Sequence, residues 1–459
     1  MAQTVEMPLW ALILLVAFAA VTFASHFLFP SVRWFFRRRM ERAVARLNKR
    51  LERPIEPFKL ARRHDMIQRL IYDPEVSRAI AAHAREEGIP ENVAFERARR
   101  YAREIVPSFS ASLYFGFAIR VARMLSRALY RVRLGHFDDT LTGLDRDATV
   151  VFVMNHRSNM DYVLVTWLAA ERSALSYAVG EWARVWPLSR MIRAMGAYFI
   201  RRRSRGALYR RVLARYVGLA TDGGVTQAVF PEGGLSLTGA LQPPKMGLLK
   251  YLVEERSPDA RDVVFVPVAL NYDRVFEDRL LVAADAAGGR RFPARISVIA
   301  RFVLWQVWLR LRGRYHRHGH AAVSFGAPQS LKAFERDHPD AGVEGLARAL
   351  MARIGAEVPV LPVPLVARAL IRADGTLERP ALEAAVAAML DQGPRTVPPP
   401  EVDGENDAAA VARFGMRALA GRGMVSLEGE RVEIVPGERA MVRYYAASIA
   451  HLFRACSED

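Results

Sequence analysis

With 459 residues, 51% of them hydrophobic and 25% charged, the chain is too long for one ordinary domain and too apolar to be disordered. Its one cysteine, Cys456, excludes an internal disulfide framework and suits a reducing compartment. The net charge of +18 points to an anionic partner: nucleic acid, anionic lipid or a phosphorylated substrate.

The first element in the chain bears on that choice. Residues 9–29 are almost wholly apolar, with His26 the one strongly polar side chain. At ~1.5 Å per residue, such a run of about 21 residues matches the roughly 30 Å hydrocarbon core of a bilayer. No basic residue precedes it, while Arg33, Arg37, Arg38 and Arg39 open a basic stretch that reaches Arg50. Residues 1–32 therefore read as a retained transmembrane anchor, with the N-terminus outside and the remainder at the cytoplasmic face. Juxtamembrane arginines attract anionic headgroups, which accounts for the charge. Nucleic acid is not expected as a partner, because no RNP, zinc-finger or basic-zipper pattern is present.

Residues 33–135 read as a helical membrane-proximal region, punctuated by Pro54, Pro57, Pro74, Pro90 and Pro107. Within it, 110–130 is an amphipathic helix bearing Arg120, Arg123 and Arg127, either packed on the core or lying at a membrane interface. From 136 to 330, strand-like runs at 148–154, 175–179, 197–200, 225–230, 263–270 and 321–325 alternate with helical ones. This α/β pattern predicts a mainly parallel sheet flanked by helices. The basic segment 291–314, with Trp305 and Trp308, has the composition of a further interfacial helix. Residues 331–459 form a mostly helical C-terminal domain. A helix at 408–419, a hairpin at 424–435 and a closing helix at 439–454 fit a winged-helix shape, read as structural.

Chemistry concentrates on the loops after the strands. Asn155-His156-Arg157-Ser158-Asn159-Met160-Asp161-Tyr162 follows a buried β-branched run and opens a helix. A histidine with an aspartate five positions on can act as a base whose other ring nitrogen is oriented by the carboxylate, the logic of hydrolase triads without a protein nucleophile. Read alone, the pair fits a turn histidine beside a helix-capping aspartate better than a catalytic pair. The strand at 197–200 runs into Arg201, Arg202 and Arg203, and guanidinium groups suit a phosphate. The loop from Phe230 to Gly239 offers Glu232 and Ser236 for hydroxyls, with Gly233 for close backbone approach. A last block, Val266-Pro267-Val268, is a strand before a turn. His316, His318 and His320 alternate, but with no cysteine or carboxylate beside them no metal site is expected.

In this order and spacing, the four blocks resemble the glycerolipid acyltransferases, and most closely the membrane-bound bacterial glycerol-3-phosphate acyltransferases. The first is similar to the family's histidine-four-residues-aspartate motif. The second resembles its Gly-Ala-Phe-Phe-Ile-Arg-Arg block, and the third its Glu-Gly-Gly-Arg-Ser-Arg-Thr-Gly block, continued at Pro244-Lys245-Met246-Gly247. The Pro267 strand resembles the fourth, and Val323-Ser324-Phe325-Gly326 and Tyr444-Tyr445-Ala446-Ala447 look like features of the glycerol-3-phosphate branch. The resemblance implies acyl transfer from acyl-CoA or acyl-carrier protein to the sn-1 hydroxyl of glycerol-3-phosphate at the inner membrane, with membrane lipids as partners and no cofactor beyond the thioester co-substrate. His156 and Asp161 are then the catalytic pair. Arg157, Arg201, Arg202, Glu232, Gly233, Ser236 and Lys245 are substrate ligands, backbone N–H groups at 157–159 are oxyanion donors, and Pro267 serves the acyl donor or the strand. Leu235 and Leu237 stand where the family has arginines, which shifts the expected phosphate ligands to Arg201, Arg202 and Lys245. A lysophosphatidate acyltransferase and a non-catalytic membrane scaffold are the alternatives.

Overall fold

In this computed structural model the structure describes residues 8–49, 51, 53–135, 143–169, 173–180, 188–201, 206–257, 259–288, 319–393 and 407–456. The chain divides into two compact units, 1–55 and 56–459. The expected boundaries near 135 and 330 therefore fall inside the second unit.

The first unit is built on one 40-residue helix, Leu9–Asn48. Its opening turns expose Leu9, Trp10, Ile13 and Phe18. Among the described residues no helix is long and apolar enough to cross a membrane. The expected transmembrane anchor at 1–32 is thus not found as a membrane span; the helix runs without a break from the apolar stretch into the arginine-rich one.

The second unit centres on a sheet of β1 (Arg131–Leu134), β2 (Thr149–Met154), β3 (Ser176–Gly180), β4 (Tyr198–Ile200), β5 (Gln227–Val229), β6 (Val263–Tyr272), β7 (His320–Phe325) and β8 (Gln329–Ser330). Its order is β1-β7-β6-β2-β5-β3-β4, with β8 also paired to β6. Strands β6, β2, β5, β3 and β4 run parallel. β7 runs antiparallel to β6. Every residue of β2 and β6 is buried, as expected for β-branched runs with both faces covered. The helices Met160–Ala169, Leu188–Ala194, Ala207–Asp222 and Gly247–Glu254 make the crossovers.

The six expected strands are present. β1 is an addition, since its Arg-Val-Arg-Leu sequence lies in the stretch read as helical. The segment 110–130 is helical, a π-helical turn Ser112–Ala118 leading into Ile119–Leu129, with Tyr114, Ala118, Ala122 and Ser126 on its buried side. Segment 291–314, including Trp305 and Trp308, lies outside the described residues, as do His316 and His318. In the C-terminal part, the helix Ala408–Ala420, the hairpin β10 (Val425–Glu428) and β11 (Arg431–Ile434), and the helix Arg439–Ala447 follow the expected order. A short β9 (Thr376–Glu378) joins β11 to complete a three-stranded sheet.

Candidate active site

The register of β2 against β6, from Thr149 opposite Val263 to Met154 opposite Val268, sets their amino ends level and leaves β6 to run on to Tyr272 beyond the end of β2. Where β2 ends, Asn155 extends the ladder with its side chain: Nδ2 donates to the Leu270 carbonyl at 2.9 Å and Oδ1 accepts the Leu270 N–H at 2.8 Å. This pair fixes the point at which the backbone leaves the sheet, so the next residue, His156, emerges at a defined place.

His156 is 2% exposed. Its ring stacks on Phe230 at 4.1 Å between centroids and meets Tyr162 edge-on at 5.4 Å. Nδ1 lies 2.9 Å from Asp161 Oδ2. A carboxylate that takes several donors can only accept, so the neutral ring carries its proton on Nδ1 and keeps the Nε2 lone pair. The Asp161 carboxylate is fully buried and saturated. Oδ2 also accepts the N–H groups of Arg157 and Ser158 at 2.8 and 3.0 Å, and Oδ1 accepts the Tyr272 hydroxyl at 2.6 Å. The turn closes on itself around this carboxylate, and Ser158 Oγ then caps the helix Met160–Ala169 by accepting the Met160 N–H.

A second carboxylate, Glu277, holds the outer side of the turn. It accepts the Ser158 hydroxyl at 2.8 Å, the Asn159 N–H at 3.2 Å and the Asn159 side-chain amide at 2.9 Å. Burial raises its carboxyl above the ordinary range, against the lowering effect of those donors. The expected oxyanion donors are thereby corrected: the N–H groups of Arg157, Ser158 and Asn159 are all spent on Asp161 and Glu277, because a turn that buries two carboxylates must supply their donors. Glu277 itself carries no motif. The signal was a carboxylate five residues after Tyr272 at the end of a core strand.

The loop after β5 lies against the same turn. The His156 N–H donates to Glu232 Oε1 at 3.3 Å, and the Ser236 N–H donates to the His156 carbonyl at 3.0 Å. Burial pushes the Glu232 carboxyl up to about 8, and its Oε2 has no hydrogen-bond partner among the described residues. The Ser236 hydroxyl is used within its own loop, donating to Ala240. The Lys245 N–H closes the loop on the Pro231 carbonyl at 2.8 Å. Gly233, at φ +66°, has the Lys245 stem where a side chain would stand: an added Cβ would meet Lys245 Cδ at 2.8 Å. The Lys245 side chain thus lies across the Glu232–Gly233 turn. Leu235 and Leu237 are half-buried against the hydrophobic core.

Arg157 joins this loop to the C-terminal helix. Its guanidinium donates to the Gly239 carbonyl and lies 5.1 Å from the Tyr444 ring centroid. Nε and Nη2 are buried without a partner among the described residues. Gly239 sits at φ +84°, so close to helix Arg439–Ala447 that an added Cβ would fall 1.9 Å from the Tyr444 carbonyl oxygen. The neighbouring Tyr445 hydroxyl donates to Asp278 and accepts the Val275 N–H at 3.1 Å, bracing the turn that carries Glu277.

The remaining expected residues lie elsewhere. Arg201 forks onto Glu104, Nε to Oε1 at 2.8 Å and Nη2 to Oε2 at 2.6 Å, and lies over the rings of Tyr101 and Tyr209. Arg202 lies outside the described residues. Pro267 faces Val153 across the sheet, and its carbonyl accepts the Gly326 N–H at 2.9 Å where β7 has ended and β8 has not begun. The missing proline N–H thus falls in a gap of the ladder. His320 pairs with Asp273 at 2.7 Å, both buried. Asp273 also accepts the Val363 N–H at 2.9 Å, at the start of helix Pro362–Arg372.

Residues 139–271 match the acyltransferase family model, and residues 304–457 match that of the glycerol-3-phosphate acyltransferase C-terminal region. A glycerol-3-phosphate acyltransferase from Xanthomonas campestris is 29% identical over 73% of this chain and 39% of its own length. One from Aeromonas hydrophila is 28% identical over 86% of this chain and 50% of its own. The chain thus spans half or less of the length of these curated relatives. The crystal structure of the 1-acyl-sn-glycerophosphate (LPA) acyltransferase from Thermotoga maritima is 17% identical, covering 58% of this chain and 85% of that one at a TM-score of 0.33.

Proposed function

We propose that this chain, an acyltransferase segment followed by a glycerol-3-phosphate acyltransferase C-terminal region, transfers an acyl group from a thioester to the sn-1 hydroxyl of glycerol-3-phosphate. The product is 1-acyl-glycerol-3-phosphate, and the donor is acyl-CoA or acyl-carrier protein. Membrane lipids are the surroundings: the donated chain and the product are both lipidic, and we assign the reaction to the inner face of a bacterial membrane.

The observation that carries this reading is the His156–Asp161 pair, buried and oriented through Nδ1, with Nε2 taking part in no hydrogen bond of the described residues. Nε2 takes the proton of the sn-1 hydroxyl as its oxygen attacks the thioester carbonyl. The tetrahedral intermediate collapses, the C–S bond breaks, and the leaving thiolate recovers the proton from the imidazolium. No covalent acyl-protein forms. Asp161 stabilises the imidazolium while it lasts. Holding both substrates beside Nε2 supplies much of the acceleration.

Two groups favour a polar, phosphorylated acceptor. Arg157 and Glu232 each bury polar atoms that no group among the described residues satisfies, a pattern that suits a ligand. Glu232, protonated at neutral pH, can donate to a glycerol oxygen, while Arg157 and Lys245 supply positive charge for the phosphate. Arg201 is left out of this set, because its guanidinium fork is taken up by Glu104.

The test is turnover of a labelled acyl thioester with glycerol-3-phosphate or with lysophosphatidate as acceptor. The expected result is labelled lysophosphatidate from the first acceptor, and a loss of at least ~100-fold in His156→Ala, the lower end of general-base assistance. Turnover with lysophosphatidate alone would assign the next acylation step instead, and wild-type rates in the variant would overturn the role of His156.

A further inference from the structure

Three segments far apart in sequence meet around the loop 106–111. Arg63 Nε donates to the Val106 carbonyl at 2.9 Å, and the Lys59 ammonium lies 4.8 Å from the Phe109 ring centroid. On the other side, the Ser108 and Ser110 N–H groups donate to the Arg193 and Ala194 carbonyls at 3.2 and 2.8 Å. Segments 57–63, 106–130 and 188–201 are therefore packed together around this loop.

Each segment exposes large apolar side chains. Leu60 is 41% exposed, Phe117 51%, Met124 61% and Met191 37%. On the helix, Tyr114, Ala118, Ala122 and Ser126 face inward, which leaves Phe117, Arg120, Met124 and Arg127 as a ridge at helical spacing on the opposite side. Arg62 and Arg190 are exposed beside Leu60 and Met191. Each segment holds three lysines or arginines and no aspartate or glutamate, and of these nine Arg201 is taken up by Glu104 from outside them.

We propose that this region is a docking surface for an anionic lipid bilayer, with Phe117, Met124, Leu60 and Met191 entering the headgroup–acyl boundary and the arginines holding the phosphates around them. Isolated apolar side chains, each flanked by arginine and with no acid among them, match the composition of interfacial segments. The inference does not depend on the acyl-transfer reading. It gives that reading a geometry, however, because Arg123 and Arg127 lie 6.0 and 5.4 Å from the ring centroid of Trp167, on the helix that begins at the His156–Asp161 turn.

The experiment uses the full chain with Cys456→Ser and a single introduced cysteine carrying an environment-sensitive nitrobenzoxadiazole probe, at Phe117→Cys, at Met124→Cys or, as a control, at exposed Glu428→Cys in the C-terminal sheet. Vesicles of phosphatidylcholine with phosphatidylglycerol are expected to raise and blue-shift emission at 117 and 124 and leave 428 unchanged, with phosphatidylcholine alone giving little response. Arg120→Gln with Arg127→Gln should weaken partitioning about tenfold or more, near one arginine–headgroup attraction per site. Binding to the vesicles with no probe response at 117 and 124 would place attachment elsewhere and overturn the proposal. So would a response to an acidic soluble protein of matched charge but not to vesicles, which would make the partner a protein.

Discussion

The Tyr272 hydroxyl donates to Asp161 Oδ1 at 2.6 Å, the one carboxylate oxygen that His156 does not use. Tyr272 is fully buried, and burial together with the Asp161 charge holds its phenol well above the ordinary value, so it stays a donor throughout the working range. Tyr272→Phe removes one hydrogen bond to a charged group, worth about 1.5–3 kcal/mol, without touching substrate. We expect kcat to fall on the order of tenfold, with the KM for glycerol-3-phosphate within about twofold of wild type. An unchanged kcat would mean that the turn holds Asp161 without it.

Glu277 tests the turn from its other side. Glu277→Ala leaves the buried Ser158 hydroxyl and the two half-buried Asn159 donors without their acceptor, a loss of about 1–3 kcal/mol for a single buried group. Glu277→Gln keeps one acceptor and should recover part of this. Thermal melts should rank wild type above Gln above Ala, and kcat should follow the same order. Equal melting of all three would deny the carboxylate any bracing role.

How far the sequence revealed this arrangement depended on which residues carried pattern. The buried strands β2 and β6 and the pair His156 and Asp161 were legible, because β-branched runs and a motif at fixed spacing are local signals. β1 was not: Arg-Val-Arg-Leu at a sheet edge carries little hydrophobic signal, and its pairing with β7 spans nearly 190 residues, from Arg131 to His320. The direction of β7 was also hidden, since a buried run reads the same in either orientation. Tyr272 and Glu277 were invisible as site residues because their partners lie across the fold. Arg201 misled for the converse reason. An arginine at a strand end suits a phosphate, and only the fold shows Glu104 in front of it.

Glu232 gives a pH signature. Its carboxyl, raised from 4.5 to about 8 chiefly by burial, keeps in the folded state a proton that the unfolded chain gives up. The stability linked to that proton is full below the unfolded value and is lost as pH rises through about 8. Glu232→Gln carries no titratable proton, so the fall in Tm between mildly acid and alkaline pH should flatten in the variant. Parallel pH dependences in the two proteins would show that Glu232 does not hold the proton.

Tyr444 tests whether the C-terminal region belongs to the site. Its ring faces the Arg157 guanidinium, and its hydroxyl makes no hydrogen bond among the described residues. Tyr444→Phe keeps the π face and should behave nearly as wild type, while Tyr444→Ala should lose activity through Arg157, a cation–π contact of this kind being worth about 2 kcal/mol when desolvated. Gly239→Ala is the harsher probe, because its methyl would overlap the Tyr444 carbonyl, and we expect little folded protein. Equal loss in Phe and Ala at 444 would move the role from the ring to the hydroxyl.

The phosphate ligands separate by a pair of alanines. Lys245 lies across Gly233, beside Glu232, whereas Arg201 is held by Glu104 and two tyrosine rings. Lys245→Ala should raise the KM for glycerol-3-phosphate about tenfold, the scale of one charge-assisted contact of ~1.5 kcal/mol, with a smaller effect on kcat. Arg201→Ala should leave KM near wild type and lower Tm, since it strands the nearly buried Glu104 carboxylate. Glu104→Gln should share the Arg201→Ala phenotype, and the double variant should be no worse than the single ones, as coupled partners of one ion pair require. A raised KM in Arg201→Ala with normal stability would return the phosphate to the strand end, and the Glu104 pair would then be a resting contact that substrate displaces.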